Sequence, residues 1–175
     1  RGDPFKEGTT VYVSNWRKLD PRTVPIEAKA AANYLNGMVA RLEAQKKGFK
    51  HAIMLDTEGY IAEGGTESAF LVKDGCLLTP STGTVLKSIT RLSIVELAGE
   101  AGIECVEKHL KPELLDEAEE IFLSSTPFKV LPVRQVNDRK LPDVPGSISC
   151  KIAELLNTIT AGNDDRFRDW LYFVT

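Results

Sequence analysis

The tightest constraint on the fold lies between residues 51 and 79. Residues 51–55 form a short apolar run, Asp56-Thr57-Glu58-Gly59 reads as a turn, and residues 60–63 resume the extended pattern. Gly64-Gly65 interrupts it, and residues 68–73 make a third run. Asp74-Gly75 is a two-residue hairpin signal, because both central positions of a type I′ turn need positive φ. Residues 76–79 then return. Strands joined by connections this short pair antiparallel, since a parallel pair needs a long crossover. The block therefore predicts an antiparallel meander.

The rest of the chain adds elements around it. Residues 1–9 are polar and expected to be loose, and 11–14 read as a short strand. Pro21 and Pro25 mark 16–25 as loop. Apolar residues at 26, 30, 34, 38 and 42 predict a helix from 26 to about 47, stopped by Gly48. Residues 80–88 read as loop. Ser88 or Thr90 caps a helix running to about 101, ended by Gly102. A strand at 103–110, a short helix at 112–118 and strands at 120–124 and 130–136 follow. Between the last two lies the turn Ser125-Thr126-Pro127, and 137–139 turn the chain again. Helices are expected at 146–159 and 165–173. The prediction is a single α+β domain over residues 1–175, with an antiparallel-rich sheet or barrel core and helices packed outside.

Composition excludes several functions. The formal net charge is −3 with no basic cluster, which argues against nucleic acid. No apolar run approaches the roughly 18 residues of a membrane span. Three cysteines, Cys76, Cys105 and Cys150, have no CxxC spacing. They read as buried thiols of a cytoplasmic protein, not as a disulfide framework or a metal site. The chain opens Arg1-Gly2-Asp3 without an initiator Met or a recognisable signal peptide, which reads as a processed or truncated product.

Four stretches carry chemistry. Lys29 sits in Ala28-Lys29-Ala30-Ala31-Ala32, where small neighbours leave room for something bulky. A lysine held away from water presents a neutral amine that can attack a carbonyl. Glu63 ends an apolar strand and precedes two glycines that let backbone approach a ligand. Leu86-Lys87-Ser88-Ile89-Thr90-Arg91 opens a helix whose free N–H groups, hydroxyls and dipole suit an anion. Leu123-Ser124-Ser125-Thr126 places hydroxyls on a turn after a buried strand. An amine, a carboxylate and a phosphate cradle are the set that pyridoxal 5′-phosphate requires.

In order and spacing these stretches resemble the class IV (fold type IV) pyridoxal-phosphate enzymes, from about residue 11 to 160. The lysine segment Ala28–Leu35 looks like the branched-chain amino acid aminotransferase form. The resemblance implies that Lys29 holds the cofactor covalently and moves the substrate proton. It implies that Tyr34 donates to the cofactor's phenolic oxygen and that Glu63 pairs with the ring nitrogen. Ile89 and Thr90 would bind phosphate, and Thr126 would lie near phosphate and the substrate carboxylate. The implied reaction transfers an amino group between an amino acid, of branched-chain type, and a 2-oxo acid. D-amino acid aminotransferase, aminodeoxychorismate lyase and a cofactor-binding fragment without turnover are the alternatives.

Three positions depart from the family pattern. Ser88 stands where glycine is common, Ser68 where asparagine is common, and Pro127 offers no N–H beside Thr126. The resemblance covers the family's larger, C-terminal domain. The smaller N-terminal domain is not among these residues, so the 175 residues alone are expected to turn over poorly. The family's homodimer, which completes each pocket from its neighbour, is expected as well.

Overall fold

A ring of six strands organises residues 2–172, the part of the chain that the computed structural model describes. In chain order the elements are α1 (Pro4–Glu7), β1 (Thr9–Arg17), α2 (Tyr34–Lys46), β2 (His51–Leu55), β3 (Ile61–Gly64), β4 (Ser68–Lys73) and β5 (Cys76–Pro80). Then come α3 (Ile89–Glu100), β6 (Cys105–Lys108), α4 (Leu114–Glu117), β7 (Glu120–Ser124), β8 (Leu131–Val136), β9 (Arg139–Lys140) and α5 (Ser147–Thr160). Short 3-10 turns occupy Ala31–Asn33 and Asp165–Trp170.

The strands run β3-β2-β1-β8-β7-β4, and β4 pairs back onto β3. That last contact, Glu63 opposite Ser68, closes the barrel. β5 continues from β4, β6 from β5, and β9 from β8. The meander β2–β5 is antiparallel throughout, as the turn signals require. Asp74 and Gly75 take φ of 52° and 71°, the left-handed pair of the expected hairpin. Parallel pairs arise where a helix intervenes. β1 runs parallel to β2 across α2, and β5 parallel to β6 across α3. β1 is also parallel to β8.

Alternation along the strands divides the core. Val11, Ile53, Leu55, Ile61, Leu71, Ile121, Leu123 and Val133 fill the barrel. The opposite faces of β4 and β7 present Phe70, Val72 and Phe122 to α3 and α5, where Ile94, Leu97, Ile152, Leu156 and Ile159 meet them. Phe70 and Phe122 stack with ring centroids 4.9 Å apart. A small third cluster of Ala40, Ala44, Ala52 and Met54 lies beneath α2.

Several expectations need correction. Residues 4–7 are a helical turn, capped by the Asp3 carboxylate on Phe5 N–H. β1 is longer than expected, β6 shorter, α4 begins at Leu114, and β9 occupies part of the expected turn at 137–139. The C-terminal helix is a kinked 3-10 segment ending at Trp170, and its expected end at Phe173 lies outside the described residues.

The largest correction concerns the expected helix from 26, because α2 begins only at Tyr34. The Asn33 amide donates to the carbonyls of Pro25 (3.2 Å) and Ala28 (3.3 Å), holding 25–33 as a loop against the alanines' helical preference. The buried face of α2 is Gly37, Ala40 and Ala44, whereas Leu35, Met38 and Leu42 are 67%, 61% and 51% exposed. Close approach explains the inversion. A Cβ on Gly37 would lie 1.8 Å from the Gly65 carbonyl oxygen. Only small residues fit between α2 and the β3–β4 loop, so the large ones face outward.

Candidate active site

The point where the barrel closes is also where it opens to solvent. Around the Glu63–Ser68 join lies a small cleft that is open to solvent. Five separated segments line it: the loop through Lys18, Ile26 and Lys29, the start of α2 at Tyr34, the β3–β4 connection from Glu63 to Ser68, the α3 approach at Leu86 and Ser88, and the turn Ser125-Thr126.

Each segment is held by its own contacts. Beyond β1 the chain is pinned by Lys18 N–H on the Leu55 carbonyl (2.8 Å). It is pinned again by Asn36 of α2, which accepts from Leu19 N–H and donates to the Arg17 carbonyl. Lys18 is thereby turned inward, where its Nζ forms an ion pair with Glu63 Oε1. Glu63 Oε2 accepts from Leu86 N–H at 3.0 Å. Lys18 and Glu63 are only 8% and 7% exposed, and each carboxylate oxygen has one donor.

Ser88 caps α3 by accepting from Arg91 N–H at 3.4 Å. The N–H groups of Ile89 and Thr90 belong to the first helical turn and have no partner within the helix. The turn after β7 closes through Lys129 N–H on Ser125 carbonyl (2.7 Å), and Lys129 Nζ ties it to Asn157 and Thr160 of α5.

Glu67 fixes the β3–β4 loop. Its Oε2 accepts from Thr66 N–H (2.9 Å), its Oε1 meets His51 Nδ1 (3.1 Å), and its carbonyl accepts from Gly64 N–H (2.6 Å). The His51 ring in turn meets Phe128 edge to face, centroids 5.9 Å apart, linking this loop to the Thr126 turn. Burial pushes the Glu67 carboxyl up, but the His51 and Thr66 hydrogen bonds outweigh it and leave the group below the ordinary glutamate range.

Of the residues singled out from sequence, Lys29, Tyr34, Glu63 and Thr126 line this one cleft. Ile89 and Thr90 are not among the lining residues, although Ser88 just before them is. Lys29 is solvent-exposed, not enclosed by its alanines, because its loop forms the cleft's rim. Lys18, Glu67 and His51 carry no signal in the sequence. A lysine in a proline-flanked loop reads as solvated, and nothing local shows that Asn36, from the next helix, turns it inward.

An α+β barrel with a polar cleft at its closing join is the class of protein that fold and site define. The chain belongs to the class IV aminotransferase family, whose model matches residues 2–136. It is 37% identical over 171 residues to the branched-chain-amino-acid aminotransferase of Escherichia coli (strain K12), covering 97% of this chain and 55% of that one. The Salmonella typhimurium (strain LT2) enzyme is 38% identical over the same length. This chain thus spans about half the length of the curated relatives it matches. Among solved structures, the branched-chain aminotransferase from Thermoproteus uzoniensis with norvaline superposes with a TM-score of 0.92 at 35% identity, covering 98% of this chain and 58% of that one. The Thermobaculum terrenum enzyme in its PLP-form gives 0.89 at 31% identity, covering 98% and 57%.

Proposed function

We propose that this chain is the pyridoxal 5′-phosphate-binding domain of an aminotransferase that moves an amino group between an amino acid, of branched-chain type, and a 2-oxo acid. The observation that carries this reading is the convergence of Lys29, Tyr34, Glu63, Ser88 and Thr126, from separate segments, on one cleft. The names of the relatives and the PLP-form of the Thermobaculum terrenum enzyme support it.

The donor set fits the cofactor. The buried carboxylate of Glu63 faces the cleft for a ring nitrogen, and Gly65 lines the cleft without a side chain. The start of α3 supplies unpaired N–H groups, the Ser88 and Thr90 hydroxyls and a helix dipole for a phosphate. Bound pyridoxal 5′-phosphate would supply the electron sink that accepts negative charge from the substrate Cα.

The chain's own residues do the rest. Lys29, exposed at the rim, would hold the cofactor and move the proton of the substrate Cα. Tyr34 would donate to the cofactor's phenolic oxygen and orient the ring. Ile89 and Thr90, just beyond the cleft-lining Ser88, would hold phosphate through N–H groups and hydroxyl, and Thr126 would steady the substrate carboxylate. Proline at 127 leaves its hydroxyl without a neighbouring N–H.

The reading extends to the assembly. Residues 1–175 act as one cofactor-binding unit, and the exposed apolar side chains of Leu35, Met38 and Leu42 along α2 support a homodimer. Three free cysteines with proton affinity raised by burial suit a reducing cytoplasm. No helix among the described residues is long and apolar enough to cross a membrane.

Borohydride reduction of the cofactor-loaded protein followed by peptide mapping tests the proposal. The pyridoxyl group is expected on Lys29. A label on Lys18, Lys46 or Lys47 instead refutes the assignment.

A further inference from the structure

We infer that Lys18 is a positioning residue that acts through Glu63, as a stand-in counter-ion for the cofactor's ring nitrogen. The inference rests on the proposed function. Lys18 is the buried partner of Glu63, occupying Oε1 while Leu86 N–H occupies Oε2. The pair lies in the cleft wall, not on the surface, and both residues line the cleft.

The physical logic follows from sharing one carboxylate between two cations. A carboxylate taken out of water with no counter-ion is strongly unfavourable. In the cofactor-free cleft, Lys18 removes that penalty and keeps Glu63 facing inward. When a protonated ring nitrogen approaches the same carboxylate, Lys18 remains beside it, and the two positive charges repel. Lys18 therefore stabilises the empty site and weakens Glu63's hold on the ring. Its loss has two opposite effects: the cofactor-free protein becomes less stable, while the ring-nitrogen contact becomes stronger.

This sign separates Lys18 from a merely structural lysine, whose loss would weaken binding of any cofactor-shaped molecule alike. The readout is a ratio of dissociation constants. One probe is pyridoxal 5′-phosphate. The other is its 1-deaza analogue, in which CH replaces the ring nitrogen. Their ratio isolates the contact with Glu63 from the phosphate and aldehyde contacts common to both.

The experiment uses the full protein with Lys18→Met, Lys18→Gln and Lys18→Arg, each also in a Glu63→Gln background. Lys18→Met and Lys18→Gln should raise the preference for the natural cofactor at least about tenfold, because they remove a like charge beside the ring nitrogen. Lys18→Arg should preserve the original ratio. In the Glu63→Gln background the ring nitrogen loses the carboxylate that favours its protonated form, so there is no second charge to repel and none of the Lys18 variants should change the ratio. Thermal melts should show Lys18→Met lowering the midpoint of the cofactor-free protein more than that of the loaded one. A ratio unchanged or lowered by Lys18→Met overturns the inference, as does an equal rise in the Glu63→Gln background. If the unmutated protein carries no borohydride label on Lys29, the proposed function falls, and this inference with it. If that label is present and the ratio does not move, only the role of Lys18 falls.

Discussion

Gly37→Ala puts helix propensity and close packing in direct opposition. Propensity alone predicts a gain of about 0.5–1 kcal/mol, because alanine loses less backbone freedom than glycine in a helix. The geometry predicts a loss. The new Cβ would lie 1.8 Å from the Gly65 carbonyl oxygen, 2.7 Å from its carbonyl carbon and 3.1 Å from its Cα. All three are backbone atoms, so no side chain can swing aside, and α2 must move from the β3–β4 loop by more than an ångström. Overpacking of that kind costs about 3 kcal/mol, the upper part of the usual range. The net is about 2 kcal/mol of destabilisation, a fall in Tm of about 4–8 °C for a domain of this size. Because the displaced loop also carries Glu63 and Glu67, turnover under the proposed function should fall by up to about a hundredfold, the scale of a 1 Å misplacement. Differential scanning calorimetry measures the first effect. Gly99→Ala on α3 is the internal control, since its Cβ would meet nothing within 4 Å and should stabilise by about 0.5 kcal/mol. A Gly37→Ala protein that melts at or above the original temperature refutes the close-approach argument.

Two further outcomes follow from buried carboxylates. Glu67 has a folded-state pKa below its ordinary value of 4.5, so its contribution to stability is fully present above that pH and is lost as pH falls through the folded value. Denaturant midpoints between pH 6 and pH 3 should therefore show an acid-side decline that Glu67→Gln flattens, and an unflattened decline would assign it to other groups. Glu120 accepts from Ile148 N–H (2.9 Å), Ser149 N–H (2.8 Å) and Ser149 Oγ (2.7 Å), capping α5 from β7. Glu120→Ala should cost about 2 kcal/mol by chemical denaturation, and Gly146→Ala should produce a comparable loss, since its Cβ would fall 2.0 Å from Glu120 Cδ. An unchanged midpoint for either would remove the cap from the account.

What the sequence conveyed and what it concealed differ in physical kind. β2, β4 and β7 begin and end where expected because alternation, turn residues and the Asp74-Gly75 hairpin are local signals. α3 is equally legible, with Ser88 before it and Gly102, at φ 70°, after it. The segment from 26 to 33 misleads because alanines favour a helix only until Asn33 offers the backbone other partners. The outward face of α2 misleads more deeply. A stripe of Leu35, Met38 and Leu42 reads as core by hydrophobicity, and only the proximity of Gly65 makes the glycine–alanine side the buried one. Lys29, Tyr34, Glu63 and Thr126, all in the lining of one cleft, were picked out through the family resemblance. Lys18 was not, since its burial depends on contacts with Asn36 and Leu55 that no local pattern encodes.

The join between β3 and β4 is a single registered pair, Glu63 opposite Ser68, whereas β4 and β7 share five. A closed ring loosens first where its hydrogen-bond ladder is thinnest, and in this barrel that place is the wall of the cleft. Amide exchange should accordingly be fastest, among ring strands, near residues 63–68, and slowest along β4 and β7. A molecule that grips Glu63 on one strand and the Ser125-Thr126 turn beyond the other spans the thin join as a rivet spans a seam. Occupancy of the cleft then slows exchange in strands that the bound molecule never touches, because opening the barrel requires removing the rivet first.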